Sequence, residues 1–436
     1  MTVGMLDVSR DSWHLNEGID ATHLVLEAVR LHGDRSRNEI SERTGLGRAV
    51  VTQRVRELVQ AGIIEQAGPG RSRGGRPPRD LRFRSEAGHV VGVDVGATSI
   101  DVAVTDLTGR ILAHRAEPAD VADGPEPILG EAERLAAECL AETGLSGRSP
   151  LGVGIGLPGP VEFGTGRPVS PPIMPGWDDY PVRERLSARY GSPVWVDNDV
   201  NILALAEWRS GAAQGHANMV YVKIGTGIGA GLISDGMLHR GALGCAGDVG
   251  HAQVTDDASV ICRCGNIGCL EALAGGHALG RAALELATDG GSLVLGELLL
   301  RDGKVSARSV AEAAQRGDPS SVALLVRSGH LIGRMLATIV NFFNPSLIVI
   351  GGGVSAADGQ ILAAIRETIY RRSPPLATRS LQIVPSSLGE LGGIIGAVAM
   401  VTDELFSREG LPDTIARHSS AMSVGAASET REERPG

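Results

Sequence analysis

The sequence predicts an α/β chain in two unequal parts, a small helical head and a larger two-lobed body. Three observations predict it. Apolar residues recur at helical spacing between residues 22 and 59 and lead into an arginine-rich β-arm, four later apolar strands each open into a glycine-rich turn, and one His and three Cys crowd the stretch Gly244–Glu271. With 436 residues, 42% of them hydrophobic, the chain has material for more than one core. A polar, mixed-charge N-terminus and the lack of an apolar run of bilayer length point to a cytoplasmic protein with no membrane partner.

Residues 1–20 read as a flexible N-terminus and residues 21–86 as the head. THLVLEAVRLHG (22–33) is a first helix stopped by Gly33, and a second runs from Ser36 to about Thr44, with Ser36 and Glu39 spaced as a capping box and Gly45 as the stop. After the turn at Leu46-Gly47, RAVVTQRVRELVQAG sets Val51, Val55, Leu58 and Val59 in one apolar stripe and leaves Arg48, Gln53, Arg54 and Arg56 elsewhere on the helix. Helix, tight turn, helix is how proteins present side chains to the major groove, although a small packing bundle has the same outline. Ile63-Ile64-Glu65 then reads as a strand, GPGRSRGGRPPRD as a loop and Leu81-Arg82-Phe83-Arg84 as a returning strand, so glycines and prolines hold an arginine tip slim enough to follow phosphates or enter a minor groove. Arg48, Gln53, Arg54, Arg73 and Arg76 are the candidate DNA contacts, and operator DNA is the expected partner. The overall charge of −10 excludes a chain coated in nucleic acid, because basic charge is confined to Arg71–Arg84, where only Asp80 opposes it.

The body divides into a first lobe over 88–205, completed by about 390–405, and a second over 206–389. HVVGVDVGATSIDVAVTDLTGRILAHR reads as a β-hairpin whose turn offers phosphate-binding chemistry: Asp94 for a metal-bound water, Gly96 for close backbone approach, Thr98 for a hydroxyl. LGVGIGLPGPV, VKIGTGIGAGLI and NPSLIVIGGGVS repeat the strand-then-glycine unit, which suggests two related lobes closing on a ligand. In PVWVDNDVNILALAEW a strand delivers Asp197, Asn198 and Asp199 to its end, where ligand groups belong. Asn198 has the donors and acceptors for sugar hydroxyls, and Asp199 is placed either to accept a proton from an attacking hydroxyl or to cap the next helix. Residues 407–436 turn polar and read as a disordered tail.

His251, Cys262, Cys264 and Cys269 supply an imidazole and three thiolates, the set that suits a closed, structural zinc site, against incidental thiols or a disulfide. Cys139 and Cys245, far apart in sequence, fit a reducing compartment. Asp248, His251 and Glu271 beside the ligands are suited to hydrogen-bond a polyhydroxylated molecule, a sugar or amino sugar.

AGDVGH and CRCGNIGCLE resemble the sugar-binding and zinc motifs of the ROK family (repressors, open reading frames and sugar kinases), Glu-x-Gly-His followed by Cys-x-Cys-Gly-x-x-Gly-Cys-x-Glu, with Asp248 standing where the family usually has Glu. The arm's Gly-Gly-Arg-Pro-Pro is similar to the wing of ROK regulators, while Gly47 and Val50 depart from the usual Ser and Thr. The resemblance implies an N-terminal winged helix-turn-helix followed by a two-lobed actin-like ATPase fold. It makes Asp94, Gly96 and Thr98 a first phosphate motif and Gly225, Thr226 and Gly227 a second. It places Gly351, Gly352 and Gly353 near an adenosine, and makes Asp199 the catalytic base of a kinase. The expected function is a sugar-responsive repressor acting as a dimer or tetramer, with lobe closure resetting the spacing of two DNA heads. The alternative is a kinase that uses Mg-ATP on a hexose.

Overall fold

The computed structural model describes residues 10–33, 35–69, 79–354 and 359–418. In the head, α1 (Arg10–Arg30) starts well inside the stretch expected to be flexible: residues 10–20 are polar but hold no proline, so they prolong the helix. α2 (Arg37–Thr44) is capped as its sequence implies. Ser36 Oγ accepts from the Glu39 N–H at 3.2 Å, the Glu39 carboxylate accepts from the Ser36 N–H at 3.0 Å, and Gly45 ends the helix at φ +70°. α3 (Arg48–Gln60) has only Gly47 at its N-cap, with no side-chain bond, and buries Val51, Val55 and Leu58. β1 (Ile64–Pro69) and β2 (Arg79–Phe83) pair antiparallel as the arm. Its tip, with Arg71, Arg73 and Arg76, lies outside the described residues.

The first lobe comprises β3 (His89–Val95), β4 (Ser99–Asp106), β5 (Ile111–Pro118), α4 (Pro125–Glu142), β6 (Gly152–Leu157), a small β7 (Val161–Glu162) and β8 (Arg167–Pro168) hairpin, α5 (Val182–Tyr190) and β9 (Val194–Asn198). α6 (Asp199–Ser210) leads to the second lobe: β10 (Met219–Ile224), β11 (Ile228–Ser234), β12 (Met237–Leu238), α7 (Leu270–Ala274), α8 (Gly276–Thr288), α9 (Leu293–Asp302), α10 (Ala307–Gln315), α11 (Pro319–Phe343), β13 (Leu347–Gly351), α12 (Gly359–Arg372), α13 (Pro375–Thr378) and β14 (Gln382–Pro385). α14 (Gly392–Leu405) returns to the first lobe. The two sheets run β5-β4-β3-β6-β9 and β12-β11-β10-β13-β14. In each, an antiparallel three-strand edge is followed by two parallel strands, so the repeated strand-then-glycine units of the sequence are two copies of one topology.

Three details differ from expectation. The lobe boundary near residue 205 falls inside α6, which is one helix packed on β11 of the second lobe by Val200 and Ala204 and on α14 of the first by Ile202. α11, with 25 residues, is apolar and long enough to cross a bilayer by length and composition; instead it buries Leu325, Ile332, Leu336 and Val340 in the second lobe's core. Residues 411–418 are helical, with Leu411, Thr414 and His418 buried, because their few apolar groups share one face, so the tail expected from 407 onward is packed as far as 418.

The head is not a separate bead. One core joins Val25, Leu26, Val29, Leu81 and Phe83 of the head to Val398, Val401, Leu405, Phe406 and Leu411 of the body. Phe406, 3% exposed, stacks edge-on against Phe83 at 5.6 Å, lies under the Arg30 guanidinium at 5.0 Å, and through its carbonyl meets His23 Nδ1 at 2.9 Å. Phe406→Ala is therefore expected to cost about 3–5 kcal/mol and to expose the Ser85–Gly88 junction to protease. Wild-type melting and wild-type resistance to cleavage would show that the head is not held by this contact.

Candidate metal centre and interlobe cleft

The metal cluster is assembled by a loop with little regular structure. Gly265 and Gly268, both at positive φ, turn the backbone between ligands, and a Gln253–Cys269 bridge closes the loop on itself. One ligand atom from each of His251, Cys262, Cys264 and Cys269 lies within 4.8 Å of all the others. Cys264 Sγ and Cys269 Sγ are 3.7 Å apart, and Cys262 Sγ is 3.6 Å from His251 Nδ1. A disulfide needs sulfurs about 2.05 Å apart, whereas sulfurs about 2.3 Å from one tetrahedral ion sit about 3.8 Å from each other. The spacing fits four ligands around a cation. All five cysteines are free, and burial, reinforced by the neighbouring sulfurs, pushes the Cys269 thiol up to about 12, so a thiolate there calls for a positive ion.

Around this cluster the acidic neighbours divide. Asp248 Oδ1 is 3.9 Å from His251 Nε2 and is open to solvent, free to meet a ligand. Glu271 is occupied: one oxygen accepts from the Ile228 N–H at 3.1 Å and the other from Arg263 at 3.2 Å. Its carboxylate ties the metal loop to the exit of the Gly225–Gly227 turn, where a Cβ at Gly227 would fall 2.2 Å from Glu271 Oε2 and displace that carboxylate. The carbonyls of Gly225 and Thr226 accept from the Gly276 and His277 N–H groups at the start of α8 at 2.9 and 3.0 Å. Gly351–Gly353 flank the same turn, the Val354 N–H donating to Ile224 O at 3.1 Å, and Gly96 closes the β3–β4 hairpin against Ser99 with Thr98 exposed beside it.

At the lobe junction Asn198, not Asp199, caps α6: its Oδ1 accepts from the Val200 N–H at 2.9 Å and its amide donates to Gly159 O at 2.9 Å. Asp199 is left for Lys223, whose Nζ stands 2.5 Å from Asp199 Oδ2. Asp197 is fully buried, accepting from Asn201 and the Asn198 N–H and, at 2.7 Å, from Arg240, whose guanidinium lies 3.7 Å from the Phe163 ring. Lys223 and Arg240 belong to the second lobe's β10–β12 region, so both cations reach across the cleft. Sequence reasoning passed over both; the one available signal was a lysine inside an apolar strand immediately before a glycine turn.

On the head, Arg48, Gln53 and Arg56 are exposed along α3, and Arg54 is half-buried. Glu57 holds two of these candidates, accepting from Gln53 at 2.9 Å and from Arg54 at 2.8 Å.

Asp94 sits beneath the start of α14, where a Cβ at Gly393 would fall 1.8 Å from its Oδ2, and its Oδ1 is buried without a hydrogen-bond partner. Burial pushes this carboxyl up to about 7; the Lys223 charge opposes the shift, and Asp199 and Asp101 add to it. The folded chain thus keeps a proton up to about pH 7 that the unfolded chain releases near 3.8, so this group removes stability as pH rises between those values. Asp94→Asn, which never ionises, is expected to melt above the wild type at pH 8 and level with it at pH 4. An equal gap at both pH values would contradict the assignment.

Residues 90–404 match the ROK family, and residues 19–65 match a winged helix-turn-helix DNA-binding family. A putative xylose repressor from Caldicellulosiruptor sp. strain Rt8B.4 is 31% identical over 388 residues, 88% of this chain and 96% of that protein. The crystal structure of a ROK family transcriptional regulator, a homolog of the E. coli MLC protein, covers 92% of this chain and 100% of its own at TM-score 0.78 and 26% identity. A ROK family glucokinase from Streptomyces griseus, solved in complex with glucose and AMPPNP, covers 72% of this chain and 99% of its own at TM-score 0.64 and 32% identity. With its resemblance carried by both parts, the chain belongs to the ROK family and bears a winged helix-turn-helix head ahead of the ROK body.

Proposed function

We propose that the chain is a sugar-responsive, DNA-binding repressor: the head holds operator DNA, and a monosaccharide entering the cleft near Asp248 and His251 releases it. The observation that carries this is the shared core between head and body. A DNA reader packed on α14, itself packed on the helix that starts with Asp199, has a physical route by which cleft occupancy reaches the groove-facing helix. The xylose repressors among the relatives support a sugar signal. The work of such a head is in the cytoplasm, and a symmetric oligomer carrying two heads suits half-sites about 34 Å apart.

In this proposal zinc is held by His251, Cys262, Cys264 and Cys269, and it does no chemistry. When bound it fixes the loop, and with it the edge that His251 and Asp248 present to sugar hydroxyls. Asn198, with both amide ends engaged, acts by shaping the start of α6; a sugar reaching it must share its bonds. Asp248, one methylene shorter than the family's usual Glu, contacts the sugar directly or through water.

Three measurements test this. Cys264→Ser is expected to lose stoichiometric zinc by elemental analysis and at least tenfold in sugar affinity by calorimetry; a zinc-free variant with wild-type sugar affinity would break the link between metal and pocket. With operator selected from a random DNA pool, Arg48→Ala is expected to weaken binding several-fold and to flatten its salt dependence by about one unit of slope. Sugars drawn from a pentose and hexose panel are expected to release the wild-type complex. Retention across the whole panel would overturn the sugar signal, and unaltered salt slope would remove Arg48 from the phosphates.

A further inference from the structure

The chain carries 41 basic residues, of which only Lys223 and Lys304 are lysines. Lys223 stands on β10 between Gly229 and Gly351 of the neighbouring strands, its stem passing 3.6 Å from where a Gly225 Cβ would lie, beneath the Gly225–Gly227 turn. From the second lobe it sends its ammonium to Asp199 of α6, 2.5 Å from Oδ2, and its charge acts on Asp94 of β3 as well. Asp94 and Asp199 are carboxylates that a nucleotide-bound divalent cation and an attacking hydroxyl would need free. Magnesium requires ligand oxygens at about 2.1 Å in near-octahedral array; an ammonium already on Asp199 Oδ2 takes that coordination direction, and its positive charge repels a second cation.

We propose that Lys223 is a built-in counter-ion that occupies Asp199 in place of a divalent metal, which makes the cleft a receptor that binds sugar without transferring phosphate. The type of residue supports it. An ammonium is a compact point charge able to sit where a metal ion would, whereas a planar guanidinium spreads its charge over a fork; here a chain that otherwise uses arginine almost throughout has placed a lysine. The direction of the Asp94 shift agrees, since burial raises this carboxyl and so lessens the negative charge that a cation here has to meet. The cross-cleft ion pair also ties the first turn of α6 to β10, so it holds the two lobes in register in the absence of metal.

This inference rests on the cleft's being a sugar receptor, and its test is independent of sugar. The full-length, zinc-loaded protein is titrated with Mn2+ alone and bound ion is counted by electron paramagnetic resonance; thiolate sites prefer softer metals, so the zinc cluster contributes little. Wild type is expected to bind no Mn2+ at millimolar concentration. Lys223→Met is expected to take up one Mn2+ per chain at that same concentration, and Lys223→Met combined with Asp199→Asn to lose it again. Lys223→Gln provides a second, more polar replacement, and melting curves establish that each variant is folded. A wild-type Mn2+ site abolished by Asp199→Asn, transfer of phosphate from ATP to any sugar by the wild type, or folded Lys223→Met and Lys223→Gln chains that bind no Mn2+ would each overturn the proposal. Sugar-dependent operator release is measured separately, so failure of the receptor itself is seen there and not here.

Discussion

The structure depends on one close contact, the crossing of α6 and α14. Gly396 is what permits it: a Cβ there would fall 1.9 Å from the Ile202 carbonyl oxygen, so any side chain would push the helices apart. Three cores meet at this crossing. Ile202 and Ala397 belong to the crossing itself, Val200 and Ala204 on another side of α6 belong to the second lobe, and Val398 and Val401 on another side of α14 belong to the head. A packed helix pair cannot deform gradually, so a rotation of one lobe is passed to the head as a rigid displacement.

The ends of α6 say what it transmits. Asp199 begins it, in the cleft, and Arg209 ends it, bonded to both oxygens of Asp403 at 2.7 and 3.2 Å. Asp403 also faces Arg30 of α1 at 3.6 Å, so the same carboxylate is shared between the body's hinge helix and the first helix of the head. Between these ends Glu207 accepts from the Ser387 N–H and the Ala212 N–H, holding the strand-to-helix link after β14 against α6. α6, which begins in the cleft, is thus fastened separately to the second lobe and, through Asp403, to the head.

Much of this was legible in the sequence because local chemistry dictated it. Ser36 and Glu39 need only each other to make the capping box, the His251/Cys262/Cys264/Cys269 set gathers because three of its four members lie close in the chain, and strand-then-glycine units repeat because each sheet has the same topology. What was not legible depended on distant partners. Lys223 acquires meaning only when the second lobe places it on Asp199, and Arg240 only when it reaches Asp197 over Phe163. Glu271 likewise gains partners that the sequence does not name, Ile228 and Arg263, and the helix at 411–418 was hidden because its apolar groups are few and find their cover on the head.

The central claim is that cleft and head are coupled through α6, and coupling is measured as the ratio of operator dissociation constants with and without saturating sugar. Arg209→Ala cuts the link to Asp403 while leaving the cleft and the DNA-facing side of α3 untouched. The account predicts that this variant binds sugar and operator, each alone, within about threefold of wild type, while the ratio falls toward one, a loss of about 1–3 kcal/mol of coupling. A ratio equal to the wild type's would contradict it.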